Sequence, residues 1–144
     1  MKRITLVLAI FVILALAACT AGPAAPAPAP APVATQVDFT RLGPNVDVAT
    51  VNALQGRDDV LILDVREQSE YDAGHIPGVT LIPLNDVPKR LNEIPKDKPV
   101  IVTCRSGNRS GQATDFLRQQ GYTNVHNMTG GITAWQQAGY PVEK

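Results

Sequence analysis

The sequence predicts a single α/β domain in which a parallel sheet is enclosed between two layers of helices. Two short apolar runs, residues 60–65 and 100–103, lack polar alternation, as expected of strands covered on both faces. Segments with helical start and stop signals alternate with these runs, the arrangement that βαβ connections produce. The length, 144 residues, leaves room for one ordinary hydrophobic core. In such sheets ligands bind beyond the carboxyl ends of the strands, and Asp64 and Cys104 both stand at that edge.

The elements follow in order. Asp47 or Thr50 caps a short helix that runs to Gln55 and stops at Gly56, with Val51 and Leu54 on its apolar side. Residues 60–65 form a strand ended by a charged cluster, and residues 67–73 make one or two helical turns stopped at Gly74. A short strand is expected over 79–82 and a short helix over 87–94, bounded by Pro88 and Pro95. The strand at 100–103 is the most apolar, and the helix after it spans 109–120 and ends at Gly121. A last short strand at 124–127 and a helix at 132–138, before Gly139 and Pro141, complete the chain. There is no internal repeat.

The first 36 residues cannot build a core. Lys2 and Arg3 precede an apolar stretch over 4–16, and Leu16-Ala17-Ala18-Cys19 resembles the lipobox of bacterial lipoproteins. The stretch is short of the roughly 20 apolar residues a spanning helix needs. The resemblance implies a signal peptide over 1–18 and a mature chain that begins at an acylated Cys19. Membrane lipid is then a partner, and the domain lies outside the cytoplasm, at a periplasmic face or cell surface. From 19 to 36 alanine and proline dominate, with Pro26, Pro28, Pro30 and Pro32 alternating with alanine. Such a linker is semi-rigid at about 3.1 Å per residue, enough to lift the domain on the order of 50 Å from the lipid. The globular part is expected over 37–144.

The formal charge is zero, and removing Lys2 and Arg3 leaves 11 basic against 13 acidic residues. With no basic run and 5% aromatic residues, nucleic acid is not an expected partner. Acylation of Cys19 leaves Cys104 the one remaining thiol of two cysteines, so no internal disulfide is expected. A lone thiol in an oxidising compartment is either buried and inert or kept for reactivity. Flanking arginines favour reactivity.

That thiol sits in Cys104-Arg105-Ser106-Gly107-Asn108-Arg109-Ser110, between the apolar strand and the helix after it. At a helix start, unpaired N–H groups and the positive end of the dipole favour negative charge, and a cysteine there ionises more readily. Gly107 permits a tight turn that exposes its neighbours' N–H groups. Arg105 and Arg109 supply positive charge suited to an oxyanion. The site holds an anion beside a nucleophile. Two histidines and two cysteines give no metal-ligand spacing, and no cofactor is expected.

Three segments together resemble the rhodanese domain: Leu63-Asp64-Val65-Arg66 with Glu70-Tyr71, then Gly74-His75-Ile76-Pro77-Gly78, then the Cys104 loop. Gly130-Gly131-Ile132 with Trp135, and Gly139-Tyr140-Pro141-Val142, fit that family's ending. The resemblance implies a three-layer α/β/α domain with a sheet of about five strands. It also implies a sulfurtransferase in which Cys104 takes sulfur from a donor such as thiosulfate, becomes a persulfide and passes the sulfur to a thiol, cyanide or a protein acceptor. Arg105, Ser106, Gly107, Asn108 and Arg109 would bind substrate, with either arginine touching the donor, forming a salt bridge or facing solvent. Asp64 would support the loop by hydrogen bonds or cap the helix at Glu67. Arg66 would brace the loop or sit in solvent. His75 is expected to pack at a turn rather than act as a base, and Trp135 to lie in the core.

Two other functions compete. Cysteine-dependent phosphatases and arsenate reductases also place Cys and Arg around an anion loop. Here four residues separate Cys104 from Arg109, one fewer than in tyrosine phosphatases, and Thr103 stands where those enzymes carry histidine. A persulfide carrier or binding domain for a membrane partner uses the same residues without turnover.

Overall fold

The computed structural model describes residues 38–144. The expected signal peptide over 1–18, Cys19 and the expected linker over 19–36 lie outside the described residues. After a single 3-10 turn at Phe39–Arg41, the chain forms β1 (Asn45–Val46), α1 (Val48–Leu54), β2 (Leu61–Asp64), α2 (Gln68–Ala73) and β3 (Thr80–Leu81). Two 3-10 turns lead to β4 (Val100–Thr103), α3 (Asn108–Gln119), β5 (Val125–Met128) and α4 (Gly131–Gln137). All strand pairs are parallel, and the order across the sheet is β1-β5-β4-β2-β3.

The apolar strands bury both faces, as their lack of alternation requires. Val100 and Val102 of β4 and Leu63 of β2 pack with Ala113 and Leu117 of α3 on one side. Ile101 and Ile62 pack with Leu54 of α1 and with Ile132 and Trp135 of α4 on the other. Cys104 continues the alternation of Val100 and Val102 and so joins the α3 side. Trp135 is fully buried and donates its indole N–H to Pro141 O at 2.8 Å, which satisfies its one polar atom.

Local chemistry sets the boundaries. Asp47, not Thr50, caps α1: its Oδ1 accepts the Thr50 N–H at 2.7 Å. Glu67 caps α2 in a reciprocal capping box with Glu70, so Asp64 is not the cap of that helix. The helix expected over 87–94 is instead two 3-10 turns, Leu84–Lys89 and Leu91–Glu93. Pro88 has no N–H to extend an α-helical ladder, and Arg90 breaks the run at φ −119°. The strand β1 was not legible in the sequence. Its two residues owe their conformation to pairing with Asn127 and Met128 of β5.

Candidate active site

Residues 104–107 lead from β4 into α3 and wrap the sulfur in hydrogen-bond donors. The Gly107 N–H donates to Cys104 Sγ at 3.1 Å, and Ser110 Oγ lies 3.4 Å from it. Burial pushes the thiol pKa up, but the Ser110 hydroxyl and the N–H groups of Ser110, Ser106 and Gly107 outweigh it, so the thiol ends below its ordinary value. Gly107 makes the turn at φ 98°, a conformation costly for any residue with a Cβ.

The loop carbonyls are held from the other side by α4. Ile132 N–H donates to Cys104 O at 2.8 Å, and Thr133 N–H to Arg105 O at 3.0 Å. Gly131 makes this approach possible. With φ at 58°, it leaves no space for a side chain: a Cβ there would overlap Cys104 O and lie 2.6 Å from Arg105 C. Drawing the carbonyls toward α4 leaves the amides aimed at the sulfur. The pair Gly130-Gly131 is visible in the sequence, but its contact with the Cys104 turn is not.

The two loop arginines have different surroundings. Arg109 makes a two-pronged ion pair with Glu70 of α2, at 2.6 and 2.7 Å. Its guanidinium, with burial opposing, holds the Glu70 carboxyl down at about 2. Arg105 is exposed, and its side chain makes no hydrogen bond or ion pair among the described residues. It lines a cleft of about 440 Å³ together with Glu70, Thr133 and Gln136. Of the two loop arginines, the one whose charge has no acidic partner among the described residues is therefore Arg105. Ser106 and Asn108 are exposed on the loop's outer surface.

Asp64 and Arg66 form a buried pair beneath this assembly, 1% and 4% exposed. Arg66 Nε and Nη2 donate to Asp64 Oδ2 at 2.8 and 2.7 Å, and the Arg66 N–H donates to Oδ1. The remaining guanidinium donors reach Glu70 O and Gly74 O, each at 3.0 Å. The expectation that Asp64 hydrogen-bonds the loop is corrected: among the described residues the partners of its carboxylate all belong to Arg66. The guanidinium engages both carboxylate oxygens, and support passes through Arg66 to α2, then through Glu70 to Arg109. Arg66 braces α2 rather than the loop itself.

His75 is stacked on Tyr71 at 3.7 Å, with Nδ1 3.1 Å from Tyr71 O and Nε2 3.4 Å from Glu143 Oε1. His126 Nδ1 lies 2.7 Å from Gly43 O. Neither is hydrogen-bonded to the sulfur. Among the described residues no group of three or more His, Cys, Asp or Glu could hold a metal ion. No local pattern in the sequence places Glu70 or Asn127 beside the Cys104 loop. A side chain's partner 39 residues away, as Glu70 is from Arg109, leaves no local signal.

A cysteine cradled by amides at the carboxyl edge of a parallel sheet defines an α/β protein whose buried sulfur is set to favour negative charge. Residues 47–138 match the family described as Rhodanese-like domain, and the chain belongs to that family. Over 89 residues it is 46% identical to a sulfurtransferase of Allochromatium vinosum, an alignment covering 62% of this chain and 83% of that protein. It is 35% identical over 94 residues to the thiosulfate sulfurtransferase GlpE of Pseudoalteromonas translucida, covering 65% and 90%. The crystal structure of a rhodanese-related protein from Thermoplasma volcanium matches with a TM-score of 0.64 and 33% identity, over 70% of this chain and 98% of that one. At family level the activity is sulfur transfer.

Proposed function

We propose that this protein moves a sulfane sulfur from a small oxyanionic donor such as thiosulfate to a thiophilic acceptor through a persulfide on Cys104. The Cys104 thiolate attacks the donor's outer sulfur. The donor S–S bond breaks, its electron pair leaves on sulfite, and a new S–S bond forms on the cysteine. A thiol or cyanide then attacks the outer sulfur, and the S–S bond electrons return to Cys104 as thiolate. The observation that carries this reading is the sulfur's set of donors, which favour negative charge there before transfer and after it. Arg105, exposed and unpaired among the described residues, is the group for the donor's oxygens.

Full-length protein carrying Cys19→Ser should gain the mass of one sulfur atom on mixing with thiosulfate, and should release thiocyanate on addition of cyanide. No mass gain, or the same gain in the Cys104→Ala variant, would overturn the reading. Persulfide formation without turnover would instead make the protein a carrier.

The reading also places the domain outside the cytoplasm on an acylated Cys19, supported by the lipobox-like Leu16-Ala17-Ala18-Cys19. Membrane fractionation tests it: the unaltered chain should sediment with membranes and the Cys19→Ser chain should shift to the soluble fraction. Equal partitioning would count against lipid anchoring.

A further inference from the structure

The hydroxyl of Ser110 has one hydrogen and two claimants. Its Oγ lies 2.6 Å from Asn127 Oδ1 and 3.4 Å from Cys104 Sγ, and Ser110 is fully buried. A hydroxyl donates one hydrogen bond. While Asn127 presents its oxygen, the shorter contact competes for the hydrogen and weakens the donation to sulfur. Asn127 Nδ2 donates in turn to Asn45 Oδ1 at 3.2 Å, across the β1–β5 pair in which the two asparagines lie in register. Four side chains thus run from the buried sulfur to the exposed Asn45 at the end of β1.

Half a turn of the Asn127 amide exchanges its oxygen and nitrogen without moving the chain. Nδ2 then donates to Ser110 Oγ, the hydroxyl hydrogen turns to Sγ, and Asn127 Oδ1 accepts from Asn45 Nδ2. Asn45 can make the matching half-turn, since it has no other side-chain hydrogen bond among the described residues. The first arrangement suits a thiol, whose S–H can point to Ser110 Oγ. The second suits a thiolate, which receives a charge-assisted hydrogen bond.

We propose that Asn127 is a positioning residue whose amide orientation, transmitted through Ser110, switches with the ionisation of Cys104 and favours the thiolate. The inference rests on Cys104 being the nucleophile. When the Cys104 proton leaves to solvent, the three partners reorient in concert and no further proton leaves the chain. The charged groups around the sulfur stay as they are: Arg105 in the loop, Arg109 of α3 with Glu70 of α2, Glu67 before α2, and the pair of Asp64, at the end of β2, with Arg66. The described part of α4 carries no charged side chain, and His126 of β5 is engaged with Gly43 O.

The test is the pH profile of alkylation by iodoacetamide, read by intact mass, in full-length protein carrying Cys19→Ser so that Cys104 is the one thiol. Asn127→Asp offers Ser110 acceptors alone and holds its hydrogen away from the sulfur. The midpoint should rise by about one pH unit, which below the midpoint slows alkylation about tenfold. Asn45→Asp, at an exposed position where folding is not at stake, should pin Asn127 in the first arrangement and raise the midpoint less. In a Ser110→Ala background both shifts should shrink to a small fraction of their size. Shifts that persist undiminished without Ser110 would show a direct effect of the added charge and overturn the relay, as would unchanged midpoints in both single variants. Mass gain from thiosulfate in the same parent chain tests the sulfur-transfer reading separately, because the alkylation profile requires only a reactive Cys104.

Discussion

Arg109 and Glu70 face one another through paired contacts, Nη1 to Oε2 at 2.6 Å and Nη2 to Oε1 at 2.7 Å, and join the helix that follows Cys104 to the helix that follows β2. The pair links α3 to a buried scaffold, because Arg66 ties α2 to Asp64 at the end of the second strand. One loop arginine is thereby committed to the architecture.

The ion pair makes stability depend on acid. Glu70 ordinarily titrates near 4.5 and is held at about 2 in the fold, chiefly by Arg109. A depressed folded value means the stabilisation is complete above 4.5 and is lost as the pH falls toward 2. Since both side chains are nearly a third exposed, solvent screening limits the contribution to roughly 1 kcal/mol. Urea unfolding at pH 7 should show Glu70→Gln less stable by about that amount, and the gap should close between pH 4.5 and 2. A gap independent of pH would assign the loss to packing.

Arg105 and Arg109 should separate in kinetics. Arg105→Gln is expected to raise the KM for thiosulfate about tenfold, the equivalent of about 1.4 kcal/mol, with stability changed by no more than about 0.5 kcal/mol. Arg109→Gln should lower stability and affect KM less. Steady-state thiocyanate assays and urea titrations on the same preparations check both, and the reverse ranking would move donor binding to Arg109.

Gly131 should be intolerant of any side chain. Gly131→Ala forces a Cβ into Cys104 O and Arg105 while keeping φ at 58°, and should cost upwards of about 2 kcal/mol. If the protein survives by shifting the loop, the alkylation midpoint of Cys104 should rise with the loss of aligned amides. A stable variant with an unchanged alkylation profile would show that the approach of α4 to the loop is not needed to align it.

The Asp64–Arg66 pair should behave as a buried unit. Removing one partner in Arg66→Met strands a carboxylate that is 1% exposed and should cost about 3–5 kcal/mol. Adding Asp64→Leu to that variant should recover part of the loss, because no buried charge then remains unpaired. Urea unfolding of the two variants decides it; a double variant no more stable than the single would assign the cost to the anchoring of Glu70 O and Gly74 O instead.

Much of this molecule was written locally. The unbroken apolar runs at 60–65 and 100–103 required strands covered on both faces, and glycines at 74 and 121 marked helix ends, because backbone conformation and burial pattern act over a few residues. The Cys104 loop was legible for the same reason, since its donors follow from a turn entering a helix. Residues 87–94 misled because Pro88 reads alike at the start of an α-helix and inside a tighter 3-10 turn.

What only the tertiary structure decided is which distant groups complete each local one. The two-residue β1, the assignment of Arg109 to Glu70, the seating of Gly131 against Cys104 O and the line from Ser110 through Asn127 to Asn45 all join residues far apart in the chain. Charge pairing and close packing depend on distance in space, which a linear pattern does not encode until the sheet order brings β1, β5 and β4 side by side. The chain alone specified a cysteine in an anion-favouring turn at the edge of a parallel sheet, and the fold determined which charged groups around that turn are paired and which are free.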